Sequence, residues 1–423
     1  MNVGAVLRFR SGGGSLRPVR ILLLAPHPFY QERGTPLAVN LLLRVLSTAG
    51  HTVEVLTYHE GADVAYPGVT LQRIAPPRWV RGVPPGPSLF KALCDVYLFR
   101  RAAELTRHAR YDVIHAVEEA SWIALWLNRR RGLPFIYDMD SAMGRQTREK
   151  FPWLWPVGWV FDRLETIASR RALAVIPMCD ALAELARQRG ARQVFVLRDV
   201  SLLGPVDPAE EQRLRGRIAA RGVCFLYVGN LEPYQGLDLL LESFALLTVA
   251  GHQATLAVAG GSPAHIRRYT RKARDLGIAG QVRFLGPQPV AHLAALLACA
   301  DVLVSPRIRG TNTPMKIYSY LAAGKAILAT DLPTHTQVLN REVAVLAPPR
   351  VTAFAAAMGT LVENAALRRQ LGERARALAD TRYSSGAFAA AVNELYAWVE
   401  WAVGTHTGPP PRTGGGQAPC SPA

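Results

Sequence analysis

Residues 300–330 read ADVLVSPRIRGTNTPMKIYSYLAAGKAILAT, and the fold follows from how this stretch is divided. Asp301–Ser305 is a short run of Val and Leu and predicts a strand, and Ala326–Thr330 predicts another. Between them Thr313-Pro314 predicts a helix start, with Thr as cap and Pro at the first helical position, and Gly324 supplies its left-handed stop. Strand, helix and strand in this order describe a parallel pair covered by the helix.

The same grammar recurs near the beginning. Strand Arg20–Ala25 is followed by the loop His27-Pro28-Phe29-Tyr30-Gln31-Glu32-Arg33-Gly34, then Thr35-Pro36 and a helix that ends at Gly50. Further strands are predicted at Thr52–Thr57, Val69–Ile74, Asp112–Ala116, Pro134–Asp138, Ala172–Ile176 and Val194–Leu197, then at Val223–Val228, Thr255–Ala259, Val282–Leu285 and Val343–Leu346. Apolar strands alternating with helix-length segments give an α/β protein with two doubly wound parallel sheets. The break falls where Leu203-Gly204-Pro205-Val206-Asp207-Pro208 has turn composition. The expected division is an irregular extension over 1–18, a first domain over 19–199, a linker over 200–208 and a second domain over 209–383. A helix over 384–403 and a Gly/Pro-rich, disordered tail over 404–423 complete it.

Composition agrees. With 423 residues, 49% apolar and 19% charged, the chain can build large cores and is not mainly disordered. The net charge of +17 invites a nucleic-acid reading, but 44 of the 49 basic residues are Arg, a skew that a GC-rich genome produces by codon usage. The excess is +10 over residues 1–200 and +7 beyond, so no single basic surface stands out and no nucleic-acid partner is expected. Five widely spaced cysteines without a C-x-x-C pair suggest neither disulfides nor structural zinc. No signal peptide or spanning segment is legible, which points to the cytoplasm.

In open α/β sheets, ligands bind beyond the carboxyl ends of the strands, where helix starts present N–H groups and partial positive charge. The loop after Ser305 adds Arg307, Arg309 and Lys316 to such a start, and a phosphate or diphosphate is the natural occupant. Gly229-Asn230-Leu231-Glu232-Pro233-Tyr234-Gln235-Gly236 after one strand and Ala259-Gly260-Gly261-Ser262-Pro263 after the next let a ligand approach the backbone closely. Neither is a dinucleotide fingerprint.

The order of these blocks resembles the GT-B glycosyltransferases of family 4, retaining enzymes that use sugar nucleotides. The resemblance runs over about residues 19–403 through Gly34-Thr35-Pro36, Gly50-His51-Thr52-Val53-Glu54-Val55, Tyr111-Asp112-Val113-Ile114-His115, Tyr227-Val228-Gly229-Asn230-Leu231, Ala259-Gly260-Gly261, Val282-Arg283-Phe284-Leu285-Gly286 and Ala322-Ala323-Gly324-Lys325-Ala326-Ile327. It implies two Rossmann-like domains facing across a cleft, acceptor on the first and donor on the second, with the final helix crossing back. It also implies no cofactor and no metal beyond a UDP- or GDP-linked sugar as co-substrate. Under the resemblance Gly34 and Thr35 face the donor, Leu285 and Gly286 lie near the base, and Thr311, Asn312, Thr313, Met315 and Lys316 meet the diphosphate or sugar.

Three departures count. Where the family carries the Arg and Lys that bind diphosphate this chain has Asn230 and Gln235, and where a Glu holds the ribose it has Ser319. The second histidine after His115 is absent; Val117, Glu118 and Glu119 follow instead. The expectation is a transferase that moves a sugar to a glycan or lipid-linked acceptor with retention; the alternative is a non-catalytic GT-B-like scaffold with a degenerate donor site. His115, Glu118 and Asp138, all at strand ends, are the catalytic candidates.

Residues 145–171, RQTREKFPWLWPVGWVFDRLETIASRR, set Trp153, Trp155 and Trp159 among Arg and Lys, and Leu89–Arg110 is a second basic, amphipathic segment. Either the tryptophans fill a core or they face an anionic lipid surface, which would place the protein on the inner face of the cell membrane.

Overall fold

The computed structural model describes residues 18–31, 34–84, 88–150, 153, 155–201, 203–310 and 313–404. The expected extension and tail therefore lie almost wholly outside the described residues.

Among the described residues twelve strands form two six-stranded parallel sheets. The first comprises β1 (Arg20–Ala25), β2 (Thr52–Thr57), β3 (Val69–Arg73), β4 (Val113–Val117), β5 (Phe135–Met139) and β6 (Ala174–Pro177), in the order β3-β2-β1-β4-β5-β6. The second comprises β7 (Val223–Val228), β8 (Ala254–Ala259), β9 (Val282–Gly286), β10 (Val302–Ser305), β11 (Ala326–Thr330) and β12 (Val345–Ala347), in the order β12-β11-β10-β7-β8-β9. Each strand start lies within two residues of its predicted place. The exception is Val194–Leu197, which supplies only an isolated bridge between Val175 and Val194.

Helices α1 (Gly34–Thr48), α2 (Leu89–His108), α3 (Ala120–Arg131), α4 (Met143–Lys150), α5 (Trp155–Arg171) and α6 (Asp180–Gln188) accompany the first sheet along the chain. Then come α7 (Pro208–Ile218), α8 (Leu237–Val249), α9 (Pro263–Asp275), α10 (Leu293–Ala298), α11 (Lys316–Ala323), α12 (Pro333–Thr336), α13 (Val351–Glu363), α14 (Ala365–Arg382) and α15 (Ser385–Val403). By packing, the residues up to Phe29, Asn40–Ile136 and those from Val392 onward form one compact unit; Tyr30–Val39 and Tyr137–Ala391 form the other.

The alternation of side chains along β7 shows why continuous apolar strands are needed. Cys224 and Leu226 join one buried cluster with Leu303, Ile317 and Leu321, while Phe225 and Tyr227 join another with Phe244, Val258 and Leu328. Both faces are covered, and each such side chain contributes about 1.5–3 kcal/mol on burial. In the first unit the Arg73 guanidinium ties two loops together, donating to the carbonyl oxygens of Phe29 (2.7 Å) and Glu60 (2.9 Å) at the ends of β1 and β2.

Candidate active site

Each sheet reverses its strand order at one place, β1 against β4 and β7 against β10, and ligand crevices of open sheets open beyond the carboxyl ends there. In the second sheet Gly229 follows β7 and the Pro306–Gly310 loop follows β10. Backbones approach closely at this edge. A Cβ on Gly236, at φ +75°, would lie 1.9 Å from the Pro306 carbonyl oxygen, and one on Gly260, at φ +111°, 2.1 Å from that of Gly229. Glycine is sterically required at both positions.

Lys316 opens α11. Its Nζ lies 4.0 Å from the centroid of the Tyr227 ring and 3.4 Å from Gln235 Oε1, and among the described residues no carboxylate pairs with it. Burial, reinforced by the Arg307 charge, pushes the ammonium down to about 7. Arg307 lies with its Cζ 5.3 Å from the centre of the Tyr234 ring and donates from Nε to the Arg309 carbonyl oxygen at 2.7 Å; burial lowers its proton affinity too. Two cations held against tyrosine faces at the end of a parallel strand form an electropositive crevice, and buried charge of this kind favours an anionic ligand.

A histidine braces the loop. His335 shares hydrogen bonds with Ser305 Oγ through Nε2 (2.9 Å) and with the Thr330 carbonyl oxygen through Nδ1 (2.9 Å), and burial pushes it down to about 3, so it is neutral at ordinary pH. The Thr330 hydroxyl in turn donates to the Arg307 carbonyl oxygen at 2.5 Å.

The other expected donor-side residues are placed as follows. Gln235 is buried, whereas Asn230 is exposed and spends its side chain locally, accepting the Glu232 N–H at 3.4 Å and facing Tyr234 Oη at 3.4 Å. The Leu285 carbonyl oxygen is taken by Arg217 (3.2 Å) and Gln288 (2.8 Å), and that of Gly286 by the Gly260 N–H (2.7 Å). Ser319 is buried within α11. Arg309 is exposed and enters through its carbonyl oxygen. Gly34 and Thr35 are the first residues of α1, Gly34 exposed at φ +22°. Thr311 and Asn312 lie outside the described residues.

One detail of the expected helix start is corrected. The helix begins at Lys316, with Met315 as its cap, not at Thr313-Pro314. Thr313 is buried and its hydroxyl caps nothing; the Ile317 N–H closes onto the Pro314 carbonyl oxygen at 2.9 Å instead. Tight closure after Pro314 makes Lys316 the first helical residue, beside the strand end. The Gly324 stop holds, at φ +64°.

In the first unit Glu118 follows β4 with φ +47°, a left-handed conformation uncommon outside glycine and typical of functional sites. The next residue, Glu119, forms a buried ion pair with Lys91, and Asp95, which accepts the Tyr58 hydroxyl at 2.5 Å, is pushed up to about 7 by burial and by Glu119. His115 is fully buried within β4: its Nδ1 shares a 2.8 Å hydrogen bond with Tyr396 Oη, and the two rings lie parallel within 5°. In the other unit Asp138 is half-buried on β5 beside Asp199, whose carboxyl is pushed up to about 7 by burial and by Asp138. Tyr227, Tyr234, His335 and Asp199 escaped the reading of the sequence because nothing in their local pattern separates them from core residues.

The tryptophans are not core. Trp153, Trp155 and Trp159 are 74%, 65% and 59% exposed, and Val157 and Val160 beside them are exposed as well. No helix among the described residues is long and apolar enough to cross a membrane.

Two Rossmann-type sheets with an electropositive crevice at the switch point of the second define a two-domain α/β protein with a site for an anionic ligand. The chain belongs to the GT-B glycosyltransferases of family 4: residues 209–378 match the family model described as Glycosyl transferases group 1, and residues 33–198 the Glycosyl transferase 4-like domain. It is 26% identical over 400 residues to a phosphatidyl-myo-inositol mannosyltransferase of Mycobacterium tuberculosis, covering 90% of this chain and 97% of the relative. Among solved structures it is similar to sucrose-phosphate synthase from Thermosynechococcus elongatus, with TM-score 0.75 and 20% identity over 90% of this chain and 99% of that one. HepE of Anabaena in complex with UDP gives TM-score 0.70 and 18% identity over 89% and 99%. The chain is a glycosyltransferase, and the non-catalytic alternative is not favoured.

Proposed function

We propose that the protein transfers a sugar from a nucleoside-diphosphate sugar to a glycan or lipid-linked acceptor with retention of configuration. The observation that carries this reading is Lys316, a half-buried amine on the Tyr227 ring with no carboxylate partner among the described residues. A diphosphate supplies the missing anion, and Arg307 and the start of α11 add to its field. The reading draws support from the names of similar proteins: a HepE structure is a complex with UDP-glucose, and the mycobacterial relative is named a phosphatidyl-myo-inositol mannosyltransferase.

In this reading the cations stabilise the departing diphosphate, and the diphosphate oxygen takes the acceptor proton on the same face, so no strong protein base is required. Glu118 or Asp138 orients the acceptor hydroxyl; His115, sealed against Tyr396, acts by position. Charge neutralisation is assigned to Arg307 and Lys316 rather than to a divalent ion, and unchanged turnover after EDTA dialysis is the check. The Arg/Trp face of α5 suits an anionic lipid surface on the cytoplasmic side, where a lipid-linked acceptor is presented. Flotation with anionic liposomes that is insensitive to Trp155→Ala and Trp159→Ala together would refute this contact.

The main experiment is thermal shift with UDP, GDP and their sugars, followed by a transfer assay with the stabilising donor. Stabilisation by one nucleotide series is expected. Absence of stabilisation by every nucleoside diphosphate would overturn the reading.

A further inference from the structure

A cavity of about 480 Å³ opens at the other end of α11 from Lys316, within the size range of small-molecule sites, about 300–1,000 Å³. Its walls are Ser201, the residues from Leu203 to Val206, the last turn of α11 with Lys325, and one face each of α10 and α14. Alanines on α10, α11 and α14, with Gly204, leave the space, because none has a side chain long enough to fill it.

The polar lining is uneven in charge. Arg376 Nε reaches both carboxylate oxygens of Asp380 (3.0 and 2.9 Å), and its Nη1 donates to the Ala322 carbonyl oxygen at 2.8 Å, so this pair is self-neutralising. Lys325 is different: it is half-buried in the wall and makes no ion pair or hydrogen bond among the described residues. The site therefore carries one uncompensated positive charge. Ser201, Tyr383 and Ser384 also line the cavity; the Ser201 and Ser384 hydroxyls accept the Leu203 and Ala387 N–H groups at 3.2 Å and keep their own O–H to donate. Ser201 also donates its N–H to the Tyr383 carbonyl oxygen at 3.4 Å, which ties the connecting segment to the end of α14.

We propose that this cavity binds a small hydroxylated anion of sugar-phosphate chemistry, with Lys325 meeting the phosphate and the hydroxyl groups meeting the sugar. It is separate from the donor crevice: Lys316 lies at the carboxyl end of β10, and Lys325 directly precedes β11, so the two occupy opposite edges of a parallel sheet. The eight residues of α11 span about 12 Å between them and join them rigidly.

The test is isothermal titration of the full chain with mannose 6-phosphate, with mannose and inorganic phosphate as partial probes. Saturable one-to-one binding is expected. Lys325→Met should weaken it at least about tenfold, Lys325→Arg should restore it, and Lys316→Ala should leave it unchanged. Thermal unfolding of Lys325→Met near that of the parent shows that the loss is local. Failure of mannose 6-phosphate to bind, binding insensitive to Lys325→Met, or binding lost in Lys316→Ala would each overturn the proposal, the last by returning the ligand to the donor crevice. Inorganic phosphate binding as tightly as mannose 6-phosphate would remove the sugar half of it.

Discussion

Lys316 Nζ rests 4.0 Å from the centre of the Tyr227 ring, two groups 89 positions apart in the chain. The ring face gives a cation partial relief that a carboxylate would give in full, and a carboxylate would repel an incoming diphosphate. The arrangement leaves the amine unpaired by a carboxylate and available to an incoming anion.

Lys316→Met removes that cation. Nucleotide-sugar affinity is expected to fall about 10- to 100-fold, the worth of one charge-assisted contact, while thermal stability of the free protein is unchanged or raised because a desolvated amine is gone. Calorimetry and thermal melts measure the two effects separately; unchanged affinity contradicts the assignment.

Lys316 also makes donor binding depend on pH. Burial holds its folded value near 7, below the ordinary 10.5 of the unfolded chain. A bound diphosphate favours the protonated form, so affinity for a sugar nucleotide should drop as pH rises above about 7, by up to about tenfold per unit, with proton uptake on binding. The unfolded chain binds the extra proton between 7 and 10.5, so stability of the free protein gains with pH across that window. Both trends should vanish in Lys316→Met.

His335 titrates in the same direction at lower pH. Its folded value, near 3, lies below the 6.5 of the free group, so its contribution is present above 6.5 and is lost as pH falls toward 3. His335→Gln should flatten that acid limb in urea titrations and cost about 2 kcal/mol at neutral pH through the contacts to Ser305 and Thr330.

Gly236→Ala places a methyl 1.9 Å from the Pro306 carbonyl oxygen at a φ of +75°. A loss of about 2 kcal/mol or more is expected, together with weaker nucleotide binding, since the displaced strand end carries Arg307. A variant as stable as the parent would show that the two backbones are not held together.

Side chains far from these contacts should behave differently. Trp155→Ala, at an exposed site, should change stability by less than about 0.5 kcal/mol, whereas Tyr396→Phe, which strips the hydroxyl from His115, should cost about 1 kcal/mol. Equal effects in chemical denaturation would argue against the burial described.

Much of the architecture was legible because its signals are local. The apolar runs marked the strands to within a residue or two, and Gly324 marked a helix stop, since both depend on near neighbours. The start of α11 was not legible: Thr313-Pro314 is a sound cap signal, yet closure of Ile317 onto Pro314 moved the helix to Lys316. Within the site, the cationic residues Arg307 and Lys316 could be named in advance, but their aromatic partners could not.

The amino-acid sequence by itself determined two parallel α/β sheets, the strand ends where ligands gather, and the surplus of positive charge after β10, because periodicity, glycine placement and charge are properties of short segments. Only the tertiary structure decided that Lys316 lies on Tyr227, that His115 is sealed by Tyr396 from 281 residues away, and that Trp153, Trp155 and Trp159 face outward. Burial and pairing are set by which distant elements come to share a surface, and no local pattern carries that information.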